Sequence, residues 1–218
     1  MLYVVSTPIG NLRDLSFRAV EILAAADIIA AEDTRRTKIL LNHYKINYKS
    51  IISYNDSNRE RRIPMLIGAM KSGRNVALVS DAGTPGISDP GFRLIREAIR
   101  NGIQVIPIPG PSAIISALVC SGLPTDAFAF HGFFPKKEGQ KIAFLNAIRD
   151  EKTVVVYESP YRIHKTLELM QKIMPEKRVC LCREMTKMFE EFLRGTPSEI
   201  LHQMENKKIK GEIVLVIG

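Results

Sequence analysis

The stretch "NVALVSDAGTPGISDPGFRLIREAIRNGIQVIPI" (75–108) decides the fold. "NVALVS" (75–80) is a short apolar run and reads as a buried strand. It enters a turn crowded with glycine and proline. "PGFRLIREAIRNG" (90–102) then has helical spacing, with Asp89 as N-cap, Pro90 in the first position and Gly102 closing it. "IQVIPI" (103–108) is a strand again. Strand, helix and strand in succession form a βαβ unit, with parallel strands and a right-handed crossover.

The same rhythm extends towards the N-terminus. "LYVVS" (2–6), "DIIAA" (27–31) and "SIISY" (50–54) read as strands. "LSFRAVEILAAA" (15–26) reads as a helix with Phe17, Val20, Ile22 and Leu23 on or near one face. "TRRTKILLNHY" (34–44) is a second helix, and "RRIPMLIGAMKSG" a third despite Pro64. A further helix starts at Pro111. "GLPTDA" (122–127) reads as a linker, so the expected domains are 1–122 and 123–218. The second half gives a strand at 128–133, a basic-faced helix, and a strand ending in "YES". Next comes a helix with Ser159 as N-cap and Pro160 first. "RVCLCRE" and "FEEFLRG" read as a hairpin around "MTKM", followed by a helix and the final strand "GEIVLVIG". The expected class is α/β, a mostly parallel sheet with flanking helices followed by a mixed sheet.

The chain has 218 residues, 45% of them hydrophobic, enough for a buried core and unlike a disordered polymer. Its formal charge of +8 favours a polyanionic or acidic partner. Cys180 and Cys182 share a strand face, but two thiols do not make a zinc site; they read as small buried hydrophobes in a reducing compartment. The four histidines are scattered, so no metal site is expected. With no leader-like N-terminus and no long apolar run, the expected location is cytoplasmic. Neither G-x-x-x-x-G-K-[ST] nor a strand-linked G-x-G-x-x-G occurs, which argues against an NTP-dependent kinase or a dinucleotide dehydrogenase.

The loops after the five first-half strands are "STPIGN", "AEDTRR", "YNDSN", "SDAGTPGISD" and "PIPGPSA". A parallel sheet puts all five at one edge, where open α/β sheets bind ligands. Gly83, Pro85 and Gly86 are expected to turn backbone groups towards a ligand. Glu32, Asp33 and Arg35 form a candidate catalytic cluster of base, orienter and phosphate contact; helix capping by Asp33 or Thr34 explains only part of it. Asn55, Asp56, Arg59, Arg61 and Arg62 fall at the same edge, with a plain charged helix face as the alternative. Tyr157 and Glu158 follow a second-half strand, and "FFPKK" (133–137) sets aromatics beside lysines, as base or adenine stacking requires.

"STPIGNL", "AEDTR", "SDAGTPGISDPG", "PGPSA", "GFFPKK", "YESPYR", "CREMTK" and "KGEIVLVI" occur in this order over nearly the whole chain. Together they resemble the tetrapyrrole methylase superfamily of S-adenosylmethionine (SAM)-dependent methyltransferases, and within it the ribosomal RNA branch. The first loop is poorer in glycine than in the porphyrin branch. Many ribosomal members continue past the last strand with a helical tail, whereas this sequence ends at Gly218. The resemblance implies SAM in a cleft between two α/β domains and a homodimer. It also implies methyl transfer to a ribose 2′-hydroxyl of a cytidine in small-subunit (16S) ribosomal RNA, as free RNA or in the assembled subunit. It implies cofactor contacts from Pro8 and Ile9, from Asp81, Gly83, Thr84 and Pro85, and from Ser112 and Ala113. Phe133, Phe134 and Tyr157 would line the adenosine pocket, closed near Gly211. A tetrapyrrole carbon methyltransferase and a non-catalytic SAM-binding ribosome assembly factor are the competing readings.

Overall fold

The computed structural model describes residues 1–218, which form two compact units, Met1–Ser112 and Ala113–Gly218. The first unit contains β1 (Leu2–Val5), a 3₁₀ turn (Leu12–Asp14), α1 (Phe17–Ala25), β2 (Ile28–Ala31) and α2 (Thr34–His43). It continues through β3 (Ile51–Ser53), α3 (Arg59–Lys71), β4 (Val76–Val79), α4 (Gly91–Arg100) and β5 (Val105–Ile108). All its strands pair in parallel, in the order β3-β2-β4-β1-β5. β2 and β4 are buried throughout, as expected for strands covered on both faces. One core, around Val5, Leu23, Ile29 and Leu41, lies under α1 and α2; the other, around Leu2, Tyr54, Leu66 and Leu94, lies under α3 and α4.

The second unit contains α5 (Ala113–Ser121), β6 (Ala129–Phe133), α6 (Glu138–Ala147), β7 (Val154–Glu158), α7 (Ile163–Ile173), β8 (Val179–Arg183), β9 (Glu191–Gly195), α8 (Pro197–Gln203) and β10 (Ile213–Ile217). Its sheet order is β6-β7-β10-β8-β9, parallel between β6 and β7 and antiparallel elsewhere. Its core joins Phe134, Leu145, Leu167, Met170, Leu181, Ile200 and Leu215.

Several local expectations change. The units divide after Ser112 rather than after residue 122, because α5 packs against β7, β8 and β10. Phe17 is 91% exposed, whereas Leu23 is buried as expected, together with Ala19. α4 begins at Gly91 with Pro90 in the cap position, and the Asp89 carboxylate accepts both from the Gly91 amide that opens the helix and from the Gly86 amide of the preceding loop. α7 begins only at Ile163, because residues 160–162 form a turn held by the Ser159 carbonyl, which accepts from the Arg162 and Ile163 amides. Cys180 and Cys182 are buried, with sulfurs 3.5 Å apart. Each thiol shifts first through the other: Cys180 down, and Cys182 up with burial adding to the rise.

Candidate active site

Parallel pairing places the loops after all five strands of the first unit at one edge. The β1, β4 and β5 loops are stitched together there. Thr7 and Gly83 exchange backbone hydrogen bonds, each 2.9 Å. The Ser6 and Thr84 hydroxyls meet at 2.9 Å, and the Thr84 hydroxyl lies 3.4 Å from the Pro111 carbonyl. A Cβ on Gly110 would sit 3.0 Å from that of Ser6, so glycine permits this approach. Gly83 has a φ of +79°, which an L side chain tolerates poorly.

The distal part of the β4 loop is braced by Asp89. Its carboxylate accepts from the Gly86 amide at 2.8 Å and from the Gly91 amide at 2.7 Å. Burial raises its pKa against the lowering effect of those amides. Tyr54, fully buried at the end of β3, donates to the Pro90 carbonyl at 3.1 Å, and burial pushes its phenol up to about 12. The sequence pattern alone gives Tyr54 no role beyond its strand; its place at a strand end is the available signal.

These bonds correct one expectation. The Gly83 and Gly86 amides are not presented to a ligand, since Thr7 and Asp89 take them. The Ala82 and Thr84 amides, on either side of Gly83, have no partner within the protein. They and the half-buried Asp81 are the polar groups the loop presents. Ile9 is buried, and its Cγ2 would lie 3.6 Å from a Cβ on Gly83, so its role there is packing. Pro8 is half-buried beside it; Pro85 is buried, and Ser112 closes the unit.

The acidic pair after β2 divides its work. Asp33 caps α2, accepting from the Arg35 amide at 2.8 Å. The Arg35 guanidinium grips the same carboxylate at 3.1 and 2.7 Å. That side-chain contact, aided by the amide, lowers the Asp33 pKa to about 2. Glu32 is different. Burial raises its pKa, the Asp81 amide opposes the shift, and the Asp81, Asp89 and Asp56 carboxylates add to it. Glu32 is therefore the stronger proton acceptor of the two. Asn55 and Asn58 are taken up in their own loop, both donating to the Ser53 hydroxyl. Asp56 pairs with Arg59.

In the second unit, the ends of β6 and β7 and the start of β10 lie together, since Ile213 pairs with Glu158 and Phe133 with Tyr157. Phe133, 64% exposed, meets Tyr157 edge-on with centroids 5.3 Å apart. Phe134 is 1% exposed and packs edge-on against Phe144, inside the core rather than along a pocket. Beneath them, the buried Glu158 accepts from the Ser159 amide at 2.6 Å, from Arg162 Nη2 at 2.6 Å and from the Thr166 hydroxyl at 2.6 Å. Lys141 donates to Thr166 at 2.6 Å, and burial lowers its pKa. This network fixes the turn after Tyr157 and explains Glu158 as structural. Gly211 has a φ of +91°, and a Cβ there would fall within the Glu184 carboxyl group. Ala113 opens α5 in this unit.

The architecture is that of the tetrapyrrole methyltransferases. A cobalt precorrin-4 methyltransferase matches all of this chain and 94% of its own with a TM-score of 0.71, at 16% identity. A uroporphyrin-III C-methyltransferase from Thermus thermophilus, complexed with S-adenosylhomocysteine, matches all of this chain and 96% of its own with a TM-score of 0.65, at 18% identity. The chain belongs to the tetrapyrrole (corrin/porphyrin) methylase family, whose model matches residues 1–201. Its relatives include the ribosomal RNA small subunit methyltransferase I of Halalkalibacterium halodurans, 50% identical over 99% of this chain and 75% of the relative. The proteins of the same name from Hydrogenobaculum and Thermotoga maritima are 48% and 44% identical, over all of this chain and 95% and 97% of theirs.

Proposed function

We propose that this protein transfers a methyl group from SAM to the 2′-hydroxyl of a cytidine in small-subunit ribosomal RNA. The methyltransferase class follows from the family, and the similarity to named ribosomal RNA methyltransferases over the whole chain supports the RNA substrate. The observation that carries the mechanism is Glu32: a carboxylate made more basic by burial, at the sheet edge beside the unpartnered Ala82 and Thr84 amides.

SAM, when bound, supplies an electrophilic methyl on a sulfonium and leaves as S-adenosylhomocysteine. The loops fit such a group: two free amides flank Gly83, and Asp81, which accepts from the Asp33 amide through Oδ1 and lies 3.5 Å from Arg36 through Oδ2, keeps lone pairs for an ammonium or a ribose hydroxyl. In the proposed assignment Pro8, Asp81, Thr84, Pro85 and Ser112 of the first unit, with Ala113, Phe133, Tyr157 and Gly211 of the second, contribute to cofactor binding, while Ile9 and Gly83 act by shaping the loop. Phe134 acts from the core by supporting Phe133. Glu32 takes the proton of the attacking hydroxyl while its oxygen bonds to the methyl carbon, a contribution of about 10²–10⁴-fold. Asp33 orients Arg35, and Arg35, 88% exposed, meets the target phosphate.

The proposal includes a cytoplasmic homodimer. Ile115 and Val119, one turn apart on α5 and 48% and 65% exposed, offer an apolar strip for self-association, which light scattering tests. No helix is long and apolar enough to cross a membrane. The functional test is single-turnover methylation of small subunits lacking the modification, comparing wild type with Glu32→Gln. Loss of transfer with SAM binding retained supports the assignment; full transfer by the variant refutes it.

A further inference from the structure

The cofactor loops occupy the β4-β1-β5 part of the edge. The arginines of the β3 side have no part in that scheme. α2, α3 and α4 all begin at this edge, and their first turns carry Arg35 and Arg36, Arg59 and Arg61, and Arg93. A helix dipole disfavours cations there, and α2 and α4 have no acidic residue in the first turn. Each of these termini does carry a carboxylate, Asp33 at α2, Glu60 at α3 and Asp89 at α4, so the charge left to explain is that of the guanidinium groups these carboxylates do not pair.

Part of this charge is answered internally. Asp33 pairs with Arg35, Asp56 with Arg59, and Glu60 with Arg93 at 2.8 Å. Arg61, Arg62 and Arg96 have no carboxylate partner. Arg61 is exposed, and the buried Nε of Arg62 has no hydrogen-bond partner. Arg96 lies over the Phe92 ring, 5.5 Å from its centroid, and Phe92 is 57% exposed. α3 and α4 pack on the same face of the sheet. A groove of about 370 Å³ lies between them, lined by Ile63, Pro64 and Ile67, by Arg93 and Arg96, and by Glu60 and Glu97, whose carboxylates pair with Arg93 and Arg100.

We propose that this α3–α4 face is where the RNA strand is held, with Arg61, Arg62 and Arg96 on backbone phosphates and the Phe92–Arg96 stack against a base. The inference rests on the RNA-substrate reading. Unpaired guanidinium groups spread over two helices suit an extended polyanion better than a compact acidic molecule, and an exposed ring with a stacked arginine is a surface on which bases stack.

The test compares wild type with Arg61→Gln/Arg62→Gln/Arg96→Gln, which keeps part of each aliphatic stem. Binding to a labelled single-stranded oligoribonucleotide, and to small ribosomal subunits, is measured across a salt series. Each phosphate contact to a single strand contributes about 0.7 to the log–log salt slope. The triple variant should therefore show a slope shallower by about 2 and at least tenfold weaker binding at moderate salt, with SAM affinity unchanged. Arg61→Gln alone, an exposed change, should lower the slope by about 0.7. Lys71→Gln/Arg74→Gln, at and just beyond the other end of the same helix, should change neither slope nor affinity. An unaltered slope in both arginine variants, or an equal loss in the lysine–arginine control, overturns the proposed surface and leaves the methyltransferase reading standing. A wild-type protein that binds neither RNA nor subunits overturns both.

Discussion

Glu32 and Asp81 are interlocked across the sheet edge. Glu32 Oε2 accepts from the Asp81 amide at 3.1 Å, and Asp81 Oδ1 accepts from the Asp33 amide at 3.0 Å. Each carboxylate thus fixes the other's loop. Glu32 is held by one neutral donor and carries no guanidinium partner, which leaves it basic. Glu32→Gln keeps the shape and removes the base. It should lower kcat by about 10²–10⁴-fold while SAM affinity, read by calorimetry, stays within a few-fold.

The pH dependence follows from the direction of the shift. The folded-state pKa of Glu32 is raised, so the unfolded chain releases this proton first as pH rises, and the fold loses stability across the interval between the two pKa values. Ionised Glu32 is then a net cost at neutral pH. Glu32→Gln should have a Tm equal to or above wild type at pH 7, with the advantage vanishing below the unfolded pKa. Activity should fall on the acid side at a pH above the ordinary glutamate value. Asp33 behaves oppositely. Its depressed pKa stabilises the fold above the unfolded value and is lost as pH falls towards about 2. Asp33→Ala should lower Tm and reduce turnover less than Glu32→Gln.

The two loop glycines should separate strain from collision. At Gly83 an added Cβ finds its nearest neighbour at 3.6 Å, so alanine costs only the positive φ, about 1–3 kcal/mol. At Gly91 the Cβ would lie 2.8 Å from both Asp89 Oδ1 and the Gly86 nitrogen, which breaks the Asp89 brace. Gly91→Ala should therefore destabilise more in urea melts than Gly83→Ala and weaken SAM binding more.

Adjacent phenylalanines should give opposite phenotypes. Phe134→Ala empties a core position and should cost about 3–5 kcal/mol of stability. Phe133→Ala should leave stability within about 0.5 kcal/mol of wild type and weaken SAM binding. Paired urea melts and calorimetry measure both.

Strand and helix order was legible because β-rich apolar runs and 3.6-residue spacing alternate cleanly. Errors arose where a side chain beyond the local pattern decided the outcome. Ser159-Pro160 has the form of a helix start, but the chain makes a turn there first, held by Glu158 and Ser159. Asp89-Pro90 reads as a cap, and Asp89 does accept from the first amide of α4, but the helix starts one residue later than read and Asp89 also turns back to Gly86. α5 looks like the end of one domain, and tertiary packing assigns it to the other. At the site, the edge loops and the acidic pair could be read from the sequence. The choice of Glu32 over Asp33 could not, because it rests on the burial of one carboxylate and the bidentate arginine on the other.

The most direct measurement supplies labelled SAM and small ribosomal subunits that lack the modification, then locates the label by nuclease digestion and mass spectrometry. The account predicts one labelled nucleotide, a cytidine carrying the methyl on its ribose, and labelling slowed by about 10²–10⁴-fold with Glu32→Gln. Label on a base, or transfer to a tetrapyrrole and none to the subunit, would contradict it.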